Sequence, residues 1–273
     1  MRSRVGVVLP PSKLKERRKR ARTVSIVVWS CAALLLCAAI VGFFYIPAFA
    51  IRDIQVEGVG SLSVESIQTR VQESLRGRRY LVFPKKNAFV YSDAAVASDL
   101  KTAFPKLDTI VVSLENFHSI KVVVTERKPY ATFCGASPDV SQSPCLFLDV
   151  SGVAYEPAPD FSDNAYVRWY GGGALVSGAR YLAEEKFRSV SALVDAFHSV
   201  KLEPVSTYVN EAEDVSVKDR SGLEVRFTLS RKPEEVLNLL RAALISEVLV
   251  GKALSSIEYI DLRFGNRLYY RLR

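Results

Sequence analysis

Two histidines, His118 and His198, are all that this chain of 273 residues contains, and no C-x-x-C, H-x-x-x-H or G-x-x-x-x-G-K-[ST] spacing occurs. The sequence therefore carries no motif for holding zinc, exchanging disulfides or cradling a phosphate. The run Gly171-Gly172-Gly173 is not followed by the Lys-Ser/Thr pair that phosphate binding needs, and it reads as a turn or bulge. Carboxylates are scattered, with no spacing that pairs them. No catalytic residue, cofactor or metal ligand is expected. Repeats, low-complexity tracts and long Pro or Gly runs are missing too, so successive folded parts are expected to abut.

A basic field over the body of the chain is also lacking. The net charge is +8, but residues 1–22 hold nine basic residues (Arg2, Arg4, Lys13, Lys15, Arg17, Arg18, Lys19, Arg20, Arg22) against Glu16 alone. The other 251 residues carry 28 basic and 28 acidic side chains. A nucleic-acid groove in residues 51–273 is not expected.

Charge is absent altogether from residues 23–51, TVSIVVWSCAALLLCAAIVGFFYIPAFAI. About 20 apolar residues in a helix cross a hydrocarbon core of ~30 Å. The pattern predicts a basic tail over 1–22 and a transmembrane helix over 23–50, with the tail cytoplasmic and residues beyond the span outside. The tail would touch anionic lipid. Phe43, Phe44 and Tyr45 suit the outer aromatic belt, and Pro47 the helix end. A cleaved secretory signal is the competing reading, supported by the A-x-A pattern Ala48-Phe49-Ala50, but the apolar stretch exceeds the roughly 7–15 residues of a signal's apolar region. Cys31 and Cys37 within it read as small apolar fillers. Cys134 and Cys145 flank a turn-rich loop outside, where they either face each other as a disulfide, which would stabilise the fold by about 3 kcal/mol, or remain free thiols.

Periodicity predicts an α+β protein. IRDIQVEGV is a strand. SVESIQTRVQESL is a helix capped by Ser63, with Val64, Ile67, Val71 and Leu75 on one stripe. SDAAVASDLKTAF is a second helix, capped by Ser92. LDTIVVSLEN and HSIKVVVTER form a hairpin. After Lys128-Pro129, the runs ATFC, CLFLDV, GVAYE, STYVNE, DVSVKD and LEVRFTL read as strands. Phe187, Val190, Val194 and Phe197 line one helix, and a further helix is expected over Pro233–Val250. EYIDLRF and RLYYRLR, joined by Gly265-Asn266, read as a two-residue hairpin.

Three segments in order resemble bacterial cell-division proteins of the FtsQ/DivIB family. IRDIQVEGVGSLSVESI is similar to the opening of the family's POTRA domain. VVVTERKPYATF and LFLDVSGVAYEPAP resemble its E-R-x-P-x-A and D-x-x-G-x-x-Y/F motifs, with Glu126, Arg127, Pro129, Ala131, Asp149, Gly152 and Tyr155 in the matching positions. IEYIDLRFGNRLYYR is similar to its C-terminal I-D-L-R-F/Y run. The chain departs from the family's pattern at Phe117-His118, where many members carry a proline, and in Cys134 and Cys145. The resemblance implies a POTRA domain over 51–127 and a β domain over 128–273. It further implies a non-enzymatic, single-pass protein of the cytoplasmic membrane at the division septum, whose partners are FtsB-FtsL-type bitopic proteins and other divisome membrane proteins.

Period two places Glu258, Ile260, Leu262 and Phe264 on one face of the penultimate strand, with that apolar set inward, and Tyr259, Asp261 and Arg263 on the other. In the last run Leu268, Tyr270 and Leu272 lie opposite Arg267, Tyr269 and Arg271. A final strand with one neighbour is a template for another chain. Asp261, Arg263, Phe264, Leu268, Tyr269, Tyr270 and Arg271 are therefore the candidate partner-binding residues. The alternatives are a membrane-anchored outer enzyme, which would need a concave polar pocket, and a POTRA-bearing transport or chaperone component.

Overall fold

A computed structural model describes residues 11–161, 165–265 and 267–273, with the side chains of 11–16 and 140–143 left undescribed. Arg2 and Arg4, the side chains of Lys13, Lys15 and Glu16, and Asn266 of the expected turn therefore lie outside the described residues. The fold is mixed α+β and begins with an apolar helix.

Helix α1 (Pro11–Phe43) contains one stretch, Arg17–Phe43, long and apolar enough to cross a membrane. Thr23 and Ser30 return their hydroxyls to the carbonyls of Lys19 and Ile26, leaving no polar group of theirs unpaired. The helix stops at Phe43 rather than at Pro47. The Phe44 carbonyl accepts from Asn87 Nδ2 at 2.9 Å, and Pro47 opens a short 3₁₀ turn, Pro47–Phe49.

The residues group into two compact units. The first comprises residues up to Glu57, Ser61–Ala97 and Val111–Val123; the second comprises Gly58–Gly60, Ser98–Ile110 and everything from Val124 onward. In chain order, strand β1 (Asp53–Glu57) leads to helix α2 (Val64–Ser74), a two-residue ribbon of β2 (Arg78–Arg79) and β3 (Phe83–Pro84), helix α3 (Asp93–Ala103), and strands β4 (Leu107–Asn116) and β5 (Ser119–Glu126), of which α3 from Ser98, β4 up to Ile110 and β5 from Val124 are grouped with the second unit. The three longer strands form a sheet in the order β1-β5-β4, with β1 parallel to β5 from Asp53 opposite Ser119 to Glu57 opposite Val123. The Ser63 hydroxyl caps α2 by accepting from the Ser66 N–H at 3.1 Å. Ile67 and Val71 are fully buried, whereas Val64, expected on the same stripe, is exposed in the first turn. The β2–β3 ribbon left no periodic signal because each strand is two residues long.

The second unit is built on a nine-stranded mixed sheet of order β14-β13-β12-β11-β10-β9-β6-β7-β8. Its strands are β6 (Ala131–Ser137), β7 (Val140–Leu148), β8 (Ala154–Pro157), β9 (Arg168–Tyr170), β10 (Pro204–Val209), β11 (Asp214–Asp219), β12 (Glu224–Thr228), β13 (Ile257–Asp261) and β14 (Tyr269–Leu272). Strands β10 to β12 alternate buried and part-exposed residues, so one face is apolar and the other wet. Helices α4 (Glu184–Ala196) and α5 (Pro233–Leu244) belong to the apolar side. Phe187, Val190 and Val194 of α4 and Val236 and Leu240 of α5 join Phe133, Trp169, Val225 and Phe227 in a single core. Each such buried side chain is worth about 1.5–3 kcal/mol relative to exposure.

Helix α5 ends at Leu244, not at the expected Val250. The Ser246 hydroxyl turns back to the Ala243 carbonyl at 2.7 Å, and Leu249 is buried from the turn that follows. Strand β9 has no periodic signature in the sequence, yet Trp169 on it is fully buried between parallel neighbours β10 and β6. Cys134 and Cys145 are joined as a disulfide between β6 and β7, with Cα atoms 4.4 Å apart.

Candidate docking edge

The two margins of the large sheet differ. At β8 the first two residues are covered by the chain: the Ala154 N–H donates to the Ala179 carbonyl at 2.9 Å, the Gly178 N–H to the Ala154 carbonyl at 2.7 Å, and the Ser177 hydroxyl to the Tyr155 carbonyl at 2.5 Å. At the opposite margin β14 pairs with β13 alone, antiparallel, with Asp261 opposite Tyr269 and Tyr259 opposite Arg271. All four β14 residues are exposed. The Arg273 N–H donates to the Ser256 carbonyl at 3.0 Å, so strand alternation turns the backbone amides of Tyr270 and Leu272 to the open side.

The ribbon is not a two-residue hairpin. Strand β13 ends at Asp261 and β14 begins at Tyr269, too far apart for a two-residue turn, and the register slips between Ile257 and Tyr259. The slip puts Ile257 inward together with Ile260 and Leu262, while Phe264, expected on that inward face, lies beyond the end of β13 and is 53% exposed. Leu262 follows β12, its N–H donating to the Arg226 carbonyl at 2.8 Å. The guanidinium of Arg231 donates twice to the Gly265 carbonyl at 3.0 Å, and the guanidinium of Arg273 reaches the Gly222 carbonyl at 2.7 Å. The strand is thus pinned at both ends and bare along its side.

The candidate partner residues divide into two groups. Asp261 is buried, and its carboxylate accepts from Arg263 Nε and Nη2 at 3.0 and 2.7 Å; Arg263 Nη1 continues to Asp214 Oδ2 at 2.7 Å. Burial alone would raise the Asp261 pKa, but the hydrogen bonds and charge of Arg263 outweigh it and hold it below its ordinary value. These two residues shape the loop rather than offer free groups. Leu268 packs against the core. Phe264, Tyr269, Tyr270 and Arg271 are the surface: the Phe264 and Tyr269 rings meet edge to face at 5.4 Å, and Arg271 Nε lies 3.1 Å from Glu258 Oε2. Asp214 had no place in the sequence reading, because no pattern links residues 49 positions apart.

The motif residues converge on a second centre within the same unit. Arg127 is buried and forms an ion pair with the equally buried Asp149; its Nη1 also meets Asp108 Oδ1 at 2.9 Å and its Nε donates to the Pro105 carbonyl at 3.1 Å. Asp149 Oδ1 accepts from the N–H groups of Ser151 and Val153 and from the Ser151 hydroxyl at 2.8–2.9 Å, fixing the turn into β8. Gly152 in that turn has φ +77°, and a Cβ there would lie 2.7 Å from Phe187 Cγ. Glu126 Oε1 accepts from the Gly60 N–H at 2.8 Å. Ala131 and Tyr155 are buried, while Pro129 is exposed where β6 begins. The constellation is structural: it explains why Gly58–Gly60 and Ser98–Ile110 group with the second unit instead of dividing from it at residue 127.

A cleft of about 470 Å³ is lined by Arg180, Tyr181, Lys186 and Glu213, among which Lys186 and Glu213 are paired with each other. Both histidines are exposed, His118 just before β5 and His198 in the turn after α4. No protein-family model matches the chain, and no curated protein matches it.

Proposed function

We propose that this protein is a bitopic scaffold of the FtsQ/DivIB type: anchored by α1, with a POTRA domain over residues 51–127 and a β domain over 128–273, recruiting an FtsB-FtsL-type pair of bitopic partners to septal peptidoglycan synthesis through the open margin at β14. The observation that carries the reading is the asymmetry of the nine-stranded sheet, closed at β8 and bare at β14. An added strand gains backbone hydrogen bonds from the outward amides of Tyr270 and Leu272, and specificity from Tyr269, Tyr270, Arg271 and Phe264. The motif resemblance supports it independently, since Arg127, Asp149 and Gly152 are interlocked in a way that constrains their identities. In this reading the chain has no catalytic role, the first unit contacts other divisome membrane proteins, and the basic tail remains in the cytoplasm.

The test is co-purification from dividing cells. Deleting residues 266–273, or changing Tyr269→Ala and Tyr270→Ala together, is expected to weaken capture of the FtsB-FtsL-type pair while the first unit stays folded. Undiminished capture overturns the docking edge. A reporter fused after residue 100 is expected outside the cytoplasm, and cytoplasmic activity overturns the orientation.

A further inference from the structure

Residues 76–91, RGRRYLVFPKKNAFVY, contain five basic side chains and no acid, although basic and acidic side chains are equal in number over residues 23–273. Arg76, Arg78, Arg79, Lys85 and Lys86 are all exposed. Between them the tip of the β2–β3 ribbon is apolar: Tyr80, Leu81 and Val82 face outward, Leu81 being 89% exposed. Tyr80 and Leu81 both hold positive φ, 52° and 64°, a region bulky residues rarely enter and glycine or asparagine would occupy readily. Two large apolar side chains in a strained turn facing water are disfavoured both by backbone and by solvation.

The attachment of this segment to α1 removes the contradiction. At 1.5 Å per residue, Thr23–Phe43 rises about 31 Å, matching a hydrocarbon core of ~30 Å, so Phe43 marks the far boundary. The segment is fastened immediately beyond that point. Asn87 Nδ2 donates to the Phe44 carbonyl at 2.9 Å, the Tyr45 hydroxyl to the Val82 carbonyl at 2.6 Å, the Ala88 N–H to the Phe49 carbonyl at 2.8 Å, and the Ile51 N–H to the Lys86 carbonyl at 2.8 Å. The Phe43 ring lies 5.2 Å from that of Phe49 and 6.2 Å from that of Phe89, and Phe89 and Phe117 are 5.5 Å apart. Phe89 and Phe117 remain half exposed. A segment tied this closely to the helix end stays at the depth of the interface.

We infer that the β2–β3 ribbon is a second membrane contact, in which Tyr80, Leu81 and Val82 enter the interfacial layer of the far leaflet beside Phe89 and Phe117, and Arg78, Arg79, Lys85 and Lys86 bind lipid phosphates. The occupant is the lipid surface, because the patch is continuous with an apolar helix whose span is buried by none of the described residues, and because its rim has the sign that phosphates attract. The inference rests on α1 spanning a bilayer. Its consequence is that the first unit is held down on the membrane at two points.

The full chain is tested in vesicles of phosphatidylethanolamine and phosphatidylglycerol, in a background of Cys31→Ser and Cys37→Ser, with an environment-sensitive fluorophore on a single introduced cysteine. Leu81→Cys is the probe, Leu35→Cys in α1 the deep reference and Val176→Cys the exposed reference. The label at 81 is expected to emit to the blue of the label at 176 and to be quenched by lipids brominated near the headgroup end of their chains, as the label at 35 is by lipids brominated near the chain terminus. A quenched label at 35 beside a water-like, unquenched label at 81 overturns the ribbon contact and leaves the anchor standing; an unquenched label at 35 overturns both. A shift at 81 that appears only when a second protein is added assigns the patch to a protein surface and also overturns the inference. Replacing Arg78, Arg79, Lys85 and Lys86 together by Gln is expected to reduce the blue shift, most in vesicles rich in phosphatidylglycerol; no reduction overturns the phosphate contact.

Discussion

Arg127 and Asp149 form an ion pair with both side chains buried, 22 residues apart in sequence and on opposite sides of strands β6 and β7 in the chain order. Asp108 and the Pro105 carbonyl share the same guanidinium, so the pair ties three separate chain segments together.

Removing one member strands the other in a site with little water. Arg127→Ala or Asp149→Ala is expected to destabilise the protein by about 3–5 kcal/mol, read as a lowered denaturant midpoint. Arg127→Met with Asp149→Asn is expected to cost less than Arg127→Ala alone, since the pair's buried charges are removed together and the amide oxygen at 149 still accepts from the N–H groups of Ser151 and Val153.

Three carboxyls are held below their ordinary values in the fold. At Asp149, Glu224 and Asp261 burial pushes upward, and hydrogen bonds and neighbouring arginines outweigh it. The unfolded chain therefore takes up protons at these positions more readily than the native one. Their contribution to stability is complete above the ordinary values of 3.8 and 4.5, and is lost as the pH falls through the depressed folded values. Denaturant midpoints measured from pH 7 to pH 2 should be flat above about 5 and decline below it. Asp149→Asn should remove part of that decline.

Gly152→Ala combines a left-handed backbone with a collision against the buried Phe187 ring. The two effects together should cost about 2–5 kcal/mol. Gly172→Ala, where φ is +70° but nothing lies within 4 Å of the added carbon, should cost only the backbone share. Chemical denaturation of the two variants separates them.

Reduction of Cys134–Cys145 releases a short closed loop between adjacent strands. The chain-entropy model puts its stabilisation at about 3 kcal/mol, so reduced and alkylated protein should melt several degrees lower, with the sheet's spectral signature retained at room temperature.

The two faces of β14 can be distinguished by proline. At 270 it removes an amide that points to the open side, and at 271 one that belongs to the ladder with β13. Tyr270→Pro is expected to weaken partner capture with little change in melting temperature, and Arg271→Pro to lower the melting temperature as well.

Much of the architecture is legible in the sequence, because most elements are long enough to show their period. Helix α4 displays Phe187, Val190 and Val194 one turn apart, Phe197 follows in the 3₁₀ turn beyond it, and all four are buried. Strand β9 was illegible: three residues cannot establish a period of two, and Trp169 is placed by neighbours that are parallel and distant in sequence. The β13–β14 loop was misjudged for a different reason. Gly265-Asn266 is a turn signal by itself, but Arg263 bridges Asp261 to Asp214 and Arg231 seizes the Gly265 carbonyl, and both contacts depend on the folded sheet. The β2–β3 ribbon shows the converse, since Tyr80 and Leu81 give no turn signal yet occupy a turn.

A sheet that can accept strands on one side only has a limited stoichiometry. Head-to-tail polymerisation joins unlike surfaces and needs two available margins, and here the one at β8 is already satisfied by residues 177–179. A second copy that pairs through its own β14 margin therefore closes the assembly at two, because neither partner then keeps an open β14 margin. On this sheet the restriction comes from the covered margin at β8 rather than from charge, since Arg271 is the one charged side chain of β14.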